Sequence, residues 1–278
     1  MSIQQIYKQQ NEDEGLLYAW FTAMHTRVDI LIYGKPEVSL KLIVEEIYNE
    51  LIRLEKIGNF YNTESELYRV NHTAALSPVS ISKDLYEMIE ICIEYYPKTL
   101  GCFDITIQSD NYAPGRIADI SLIAENQSIY YTQVGTRIDL SGFLKGYALD
   151  KIREILCQHQ QSNALINMGN SSVLALGDHP NGNGWKISFG KSPDLVNEES
   201  VHLHNNCLTT SGNDSFERKH IISPESGRWV EGAGQAAVIT NTGAEGEILS
   251  TAIFAASETQ REELLKTIQS KHLFIKYS

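Results

Sequence analysis

Between Glu37 and Ile57 the apolar residues Leu40, Ile43, Val44, Ile47, Leu51 and Leu54 recur at three- and four-residue spacing. That period places them on one face of an amphipathic helix of about five turns, opened by Pro36. A second helix is predicted from Lys83 to about Thr99 with Ser82 as its N-cap, and a third from about Phe143 to Gln158. Helical signals return from Glu247 to Ala256, and Ser257 with Gln260 forms a capping-box pattern for a last helix reaching Ser270. Strand-like runs span Arg27–Tyr33, Arg137–Leu140, Ala164–Met168, Ser172–Leu176, Trp185–Phe189, Gln235–Thr240 and Leu273–Lys276. Helices and strands do not alternate as in a doubly wound sheet, so the expected class is α+β. The 278 residues suit a single domain over 1–278, as one large unit or two packed lobes.

Charge excludes one class of partner. The net charge of −12 comes without any dense Lys/Arg run, so no stripe exists to release counterions from nucleic acid. No segment approaches the ~18 consecutive apolar residues of a membrane helix. Residues 1–14 contain no apolar stretch of signal-peptide length and no cysteine for lipid attachment. The expectation is a soluble cytoplasmic or leaderless form, with an exported form left open. Cys92, Cys102, Cys157 and Cys207 show no metal spacing and read as small buried hydrophobes.

Three segments carry candidate chemistry. In Ile138–Asp150 (IDLSGFLKGYALD) a strand, a small-residue turn and a helix with Lys145 in its first turn follow one another. Free N–H groups at such a helix start, plus an ammonium, suit a phosphate or pyrophosphate, and Asp139 can accept from ligand donors. An ordinary corner capped by Ser141 fits the same spacing. In Glu247-Ile-Leu-Ser-Thr251 a carboxylate and the hydroxyls of Ser250 and Thr251 share one helix face. Hard oxygens of this kind suit Mg²⁺, while a solvated polar face is the plain alternative. In Thr209–Gly227 a polar Ser-Gly turn precedes His220, whose imidazole suits proton transfer, although a lone His is more often structural. His202 and His204 would share one face of a strand, but the sequence offers no third metal ligand.

Taken in order, these segments resemble the FAD:protein FMN transferase (ApbE-like) family from about Ala23 to Ser257. The DLSGFLKGYALD block is the strongest marker. Ala23-Met-His-Thr26, Tyr61–Asn71, Gly101-Cys-Phe-Asp-Ile-Thr106, Asn167-Met-Gly169, Thr210-Ser-Gly212 with His220-Ile-Ile-Ser-Pro224, and Glu247–Ala252 resemble further motifs in their family order. The resemblance implies an ApbE-like, T-fold-related architecture of two lobes with the flavin between them. It implies Mg²⁺-dependent cleavage of FAD, transfer of FMN to a Thr or Ser hydroxyl of an acceptor protein, and release of AMP. On that resemblance Met24, Tyr61, Asp104, Ile105, Thr106, Asp139, Lys145 and Ser226 contact FAD, with Tyr61 stacking on the flavin. The backbone carbonyl of Gly142 or Leu144, with Glu247, Ser250 and Thr251, holds Mg²⁺, and His220 is the base.

Four positions depart from the family pattern. His25 stands where the family has Gly and is expected to crowd the ligand. Asn170 replaces the second Gly of a turn whose positive φ Asn tolerates. Ser223 replaces Asp or Asn, and Glu247 replaces the metal-binding Asp with a side chain about one methylene longer. The stretch Gln108–Gly135 is short and atypical beside the family. A flavin-binding protein without transferase activity and a hydrolase giving FMN and AMP are therefore alternatives.

Overall fold

The structure, a computed structural model, describes residues 3–12, 14–189, 199–213, 219–268 and 271–276. The chain opens with β1 (Gln4–Gln9), β2 (Gly15–Ala23) and β3 (Thr26–Lys35), followed by α1 (Glu37–Gly58) and α2 (Glu66–Thr73). Next come β4 (Val79–Ser80), α3 (Lys83–Lys98), β5 (Ile120–Ile123), β6 (Ser128–Tyr131) and α4 (Leu144–Gln158). Strands β7 (Ala164–Met168), β8 (Ser172–Leu176), β9 (Trp185–Phe189), β10 (Glu199–Leu203), β11 (Asn206–Asn213), β12 (Ile222–Ser223), β13 (Arg228–Trp229) and β14 (Gly234–Thr240) follow. The last elements are α5 (Gly243–Ala255), α6 (Glu258–Thr267) and β15 (Lys271–Lys276). The fold is α+β, as expected. Among the described residues no helix is long and apolar enough to cross a membrane.

One eight-stranded antiparallel sheet, in the order β1-β2-β3-β7-β8-β11-β14-β15, organises the molecule. The α1 stripe lies on one of its faces: Leu40, Ile43, Val44, Ile47, Leu51 and Leu54 are all buried with Val28, Ile30 and Ile32 of β3. Helices α4 and α5 continue that layer, α4 against α1 and α5 against β11 and β14. The β9–β10 hairpin covers part of the opposite face, where Trp185 and Leu203 pack on Val173, Ala175 and Leu208. Ser82 caps α3 through the Leu85 N–H, and the Ser257–Gln260 capping box opens α6.

Several local readings change. Arg137–Leu140 is extended but pairs with no strand; Asn71, Ser109 and the Ile105 carbonyl take its backbone hydrogen bonds instead. The segment at Thr209 is a central strand, β11, rather than a polar turn, because β8 and β14 satisfy its backbone on both sides. Helix α5 starts at Gly243, earlier than expected, under a Thr242 cap. Its Glu247 and Ser250 are buried, at 3% and 0% exposure, so they form no solvated face. His202 reaches the Asn183 carbonyl and His204 lies beyond β10 near Asp178, so they do not converge. Cys157 is exposed, unlike the other three cysteines.

Helices α4 and α5 touch backbone to backbone. A Cβ placed on Gly146 would lie 2.2 Å from the Gly243 carbonyl oxygen, and one on Gly243 would lie 2.4 Å from that of Gly146. Gly146→Ala or Gly243→Ala is therefore expected to force the helices apart and cost roughly 1–3 kcal/mol. The check is a lower urea midpoint at an unchanged denaturant slope; an unmoved midpoint would mean that the crossing yields freely.

Candidate active site

A cavity of about 980 Å³ opens where the α4 N-terminus, α5, β11 and the segments 102–108 and 219–224 meet. Such a volume accommodates a large organic ligand. Tyr61, Asp104, Ile105, Asp139, Gly142, Lys145, His220, Glu247 and Thr251 all line it, although they come from five separate stretches of chain. Met24, Thr106, Leu144, Ser226 and Ser250 stand just outside the lining. Met24 donates its N–H to Glu55 Oε2 at 2.8 Å, and Ser226 is exposed in the β12–β13 turn. Thr106 and Ser250 are buried behind the wall.

Lys145 and Glu247 meet at the centre. The Lys145 ammonium donates to Ser171 Oγ at 2.5 Å and lies 3.7 Å from Glu247 Oε1. The same carboxylate oxygen accepts a hydrogen bond from Ser172, a fully buried residue of β8. Burial pushes the Glu247 carboxyl above the usual range, and Lys145 and Ser172 oppose that shift. Around them, Ser211 Oγ sits 2.9 Å from Ser250 Oγ and 3.0 Å from Thr251 Oγ1. Gly142 faces this group, since a Cβ there would lie 3.9 Å from Thr251 Oγ1. Ser211 belongs to the Ser-Gly pair that the sequence marks, whereas Ser171 and Ser172 carry no spacing signature that would single them out.

The helix start differs from expectation. Phe143, not Ser141, occupies the N-cap position, and the Phe143 and Leu144 N–H groups both donate to the Leu140 carbonyl at 2.9 Å. Those two amides are not free for a phosphate, so Lys145 is the main cationic feature of this corner. Ser141 instead donates its N–H to Asp139 Oδ1 at 2.8 Å. Burial raises the Asp139 carboxyl and the Ser141 contacts oppose it. Asp104 is likewise raised by burial, against hydrogen bonds from Thr106 and Tyr112.

The departures are absorbed locally. Met24 and His25 form a two-residue turn between β2 and β3 with φ of 50° and 58°. That left-handed backbone is one Gly adopts without strain. The His25 ring sits 3.0 Å from Asn59 Nδ2 and 3.7 Å from Glu55, and it does not line the cavity. Asn170 takes φ 60°, and its N–H donates to Asn167 Oδ1 at 2.9 Å, so the turn keeps its shape. Ser223 pairs with Arg228 in the β12–β13 ladder. Residues 214–218, between Gly212 and His220, lie outside the described residues.

Fold and site together define a protein with a large cavity of mixed polar and apolar walls on an antiparallel sheet. The ApbE family model matches residues 24–274, and the chain belongs to that family. The FAD:protein FMN transferase of Chlamydia muridarum is 24% identical over 265 residues, covering 84% of this chain and 80% of that protein. The Klebsiella pneumoniae protein of the same name is 24% identical over 278 residues, covering 84% and 85%. Among solved structures, the flavin transferase ApbE from Vibrio cholerae superposes with a TM-score of 0.83 at 18% identity, covering 100% of this chain and 95% of that one. The apo flavinyl transferase ApbE from Pseudomonas stutzeri gives 0.85 at 19% identity, covering 97% and 94%.

Among the anchors of the Asp139 segment, Asn71 makes the most hydrogen bonds. Asn71 donates to the Ile138 carbonyl and accepts from the Ile138 N–H, both at 2.8 Å, and accepts from the Tyr131 hydroxyl at 2.9 Å. Asn71→Ala strands these partners and is expected to cost on the order of 2–3 kcal/mol. Thermal unfolding checks this, and a variant as stable as wild type would show that the segment is held elsewhere.

Proposed function

We propose that the chain is a Mg²⁺-dependent FAD:protein FMN transferase, moving FMN from FAD to a Thr or Ser hydroxyl of an acceptor protein and releasing AMP. The carrying observation is the convergence of Lys145, Glu247, Thr251 and His220 on one cavity large enough for a dinucleotide. Family membership and the names of the relatives support the choice of FAD as substrate.

The residues present fit Mg²⁺. Glu247 and Thr251 bring hard oxygens to the cavity wall, Gly142 stands beside Thr251, and the Ser250 hydroxyl lies behind them against Ser211. Among the described residues no cluster of three or more His, Cys, Asp or Glu exists. That suits a cation which fills most of its positions with phosphate oxygens and water. When bound, Mg²⁺ would neutralise charge on the pyrophosphate. Lys145 contributes one further positive charge, and the exposed Tyr61 ring offers a stacking surface for the flavin. Asp104 and Asp139 present acceptors for the rest of the substrate, with Thr106 behind Asp104 donating to its carboxylate.

In the transfer step the acceptor hydroxyl oxygen bonds to the phosphorus of the FMN half. The bond from that phosphorus to the bridging oxygen breaks, and AMP leaves with the bridging oxygen. The hydroxyl proton passes to the His220 imidazole, which is exposed on the cavity wall and accessible to a protein substrate.

The test is incubation of the pure protein with FAD, with and without Mg²⁺ and an acceptor, following AMP and FMN by chromatography. Mg²⁺-dependent AMP release with FMN on the acceptor is expected. FAD binding without AMP, acceptor present, would leave a binding protein; AMP with free FMN would indicate hydrolysis. His220→Ala should slow transfer by about 10²- to 10⁴-fold while FAD still binds. An unchanged rate would remove His220 from the mechanism.

A further inference from the structure

We propose that Tyr112 is a positioning residue of the substrate cavity, holding the Asp104 carboxylate for one N–H or O–H donor of the ligand and tying it to the β12–β13 wall. The proposal rests on the FAD reading above. Tyr112 lies in the atypical Gln108–Gly135 stretch, where no motif draws attention to it.

The geometry is specific. Thr106 donates to Asp104 Oδ1 twice, from its N–H at 2.8 Å and its hydroxyl at 2.6 Å. The Tyr112 hydroxyl donates to Oδ2 at 2.9 Å and lies 3.3 Å from the Pro224 carbonyl oxygen. An ionised carboxylate offers about four acceptor positions. Three are filled here, the fourth is on Oδ2, and Asp104 lines the cavity. A flavin ring N–H, the adenine amino group or a sugar hydroxyl matches that opening.

Tyr112 also spans the cavity wall. Its ring lies 3.8 Å from where a Cβ on Gly227 would stand, in the β12–β13 turn, and Pro224 lines the cavity beside His220. One side chain therefore fixes both the acceptor at Asp104 and the neighbouring wall. Burial works against an ionised Asp104, so the loss of one of its donors is felt at the carboxylate itself.

Equilibrium FAD binding, read by flavin fluorescence without acceptor or turnover, tests this with wild type, Tyr112→Phe, Asp104→Asn and the double variant. Phe keeps the ring and its packing, and thermal midpoints confirm that each variant is folded. Tyr112→Phe is expected to weaken FAD binding about tenfold. It should raise KM for FAD with little change in kcat. The double variant should bind no more weakly than Asp104→Asn alone, since both remove one interaction. Unchanged affinity in Tyr112→Phe, or losses that simply multiply in the double variant, would overturn the role. A wild-type chain that does not bind FAD would instead overturn the FAD reading, and this proposal with it.

Discussion

The crossing of α4 and α5 is the constraint on which the rest of the site depends. Two glycines let the backbones meet, and the Asp150 carboxylate on α4 accepts the N–H groups of Gly243 and Ala244 at 2.7 and 2.9 Å. A carboxylate at a helix N-terminus both satisfies orphan donors and complements the helix dipole. The contact also sets helical phase. Lys145 immediately precedes the contact glycine on α4, and Glu247 lies one turn beyond the contact on α5. Their side chains must then meet on the same side, between the helices and β8. Neither helix could rotate by one residue without burying an unpaired charge, which costs several kcal/mol.

An acidic protein holding a polyanionic substrate faces an electrostatic problem that this arrangement states quantitatively. Two like unit charges about 4 Å apart repel by roughly 4 kcal/mol at the effective dielectric of a protein surface. Glu247, Asp104 and Asp139 all border the cavity. Lys145 is already engaged with Glu247. Lys219, also on the wall, is engaged with Glu231, so on the proposed reading a divalent cation supplies positive charge that neither lysine has free for a pyrophosphate. On the same reading, a hydroxyl such as that of Thr251 would supply a ligand oxygen without adding negative charge.

Legibility in the sequence followed how each element is stabilised. The α1 stripe and the Ser82 and Ser257 caps were readable because periodicity and local hydrogen bonding fix those helices without reference to the rest of the fold. Strand β2 was missed although Leu17, Ala19, Phe21 and Ala23 alternate inward, because Leu16, Tyr18 and Trp20 on the other face erase the polar half of the pattern. Strand β11 was mistaken for a turn since Thr209, Thr210 and Ser211 look hydrophilic. Its burial is decided by two neighbouring strands far off in sequence. Arg137–Leu140 erred in the opposite direction: an extended run whose partners are side chains looks the same in sequence as a strand. In the candidate site, motif-borne positions such as Lys145 and Glu247 could be found. Ser172 and Tyr112 could not, because only the tertiary structure gives them their partners.

The Glu247 departure shows how such a site accommodates change. On the resemblance read from the sequence, the longer side chain takes the place of Asp, in a helix whose surroundings leave almost no solvent. An added methylene there must carry the carboxylate further from α5, and the nearest surface in that direction is β8. Strand β8 is buried at every position, and its Ser172 donates to the carboxylate. An apolar residue at that point would leave Oε1 with Lys145 alone, and burial would then favour the protonated, neutral form of Glu247, which offers a cation no charge. On the proposed reading, Ser172 helps to keep the longer carboxylate ionised for a cation, so a residue of the sheet and one of α5 act together although they stand on different layers of the fold.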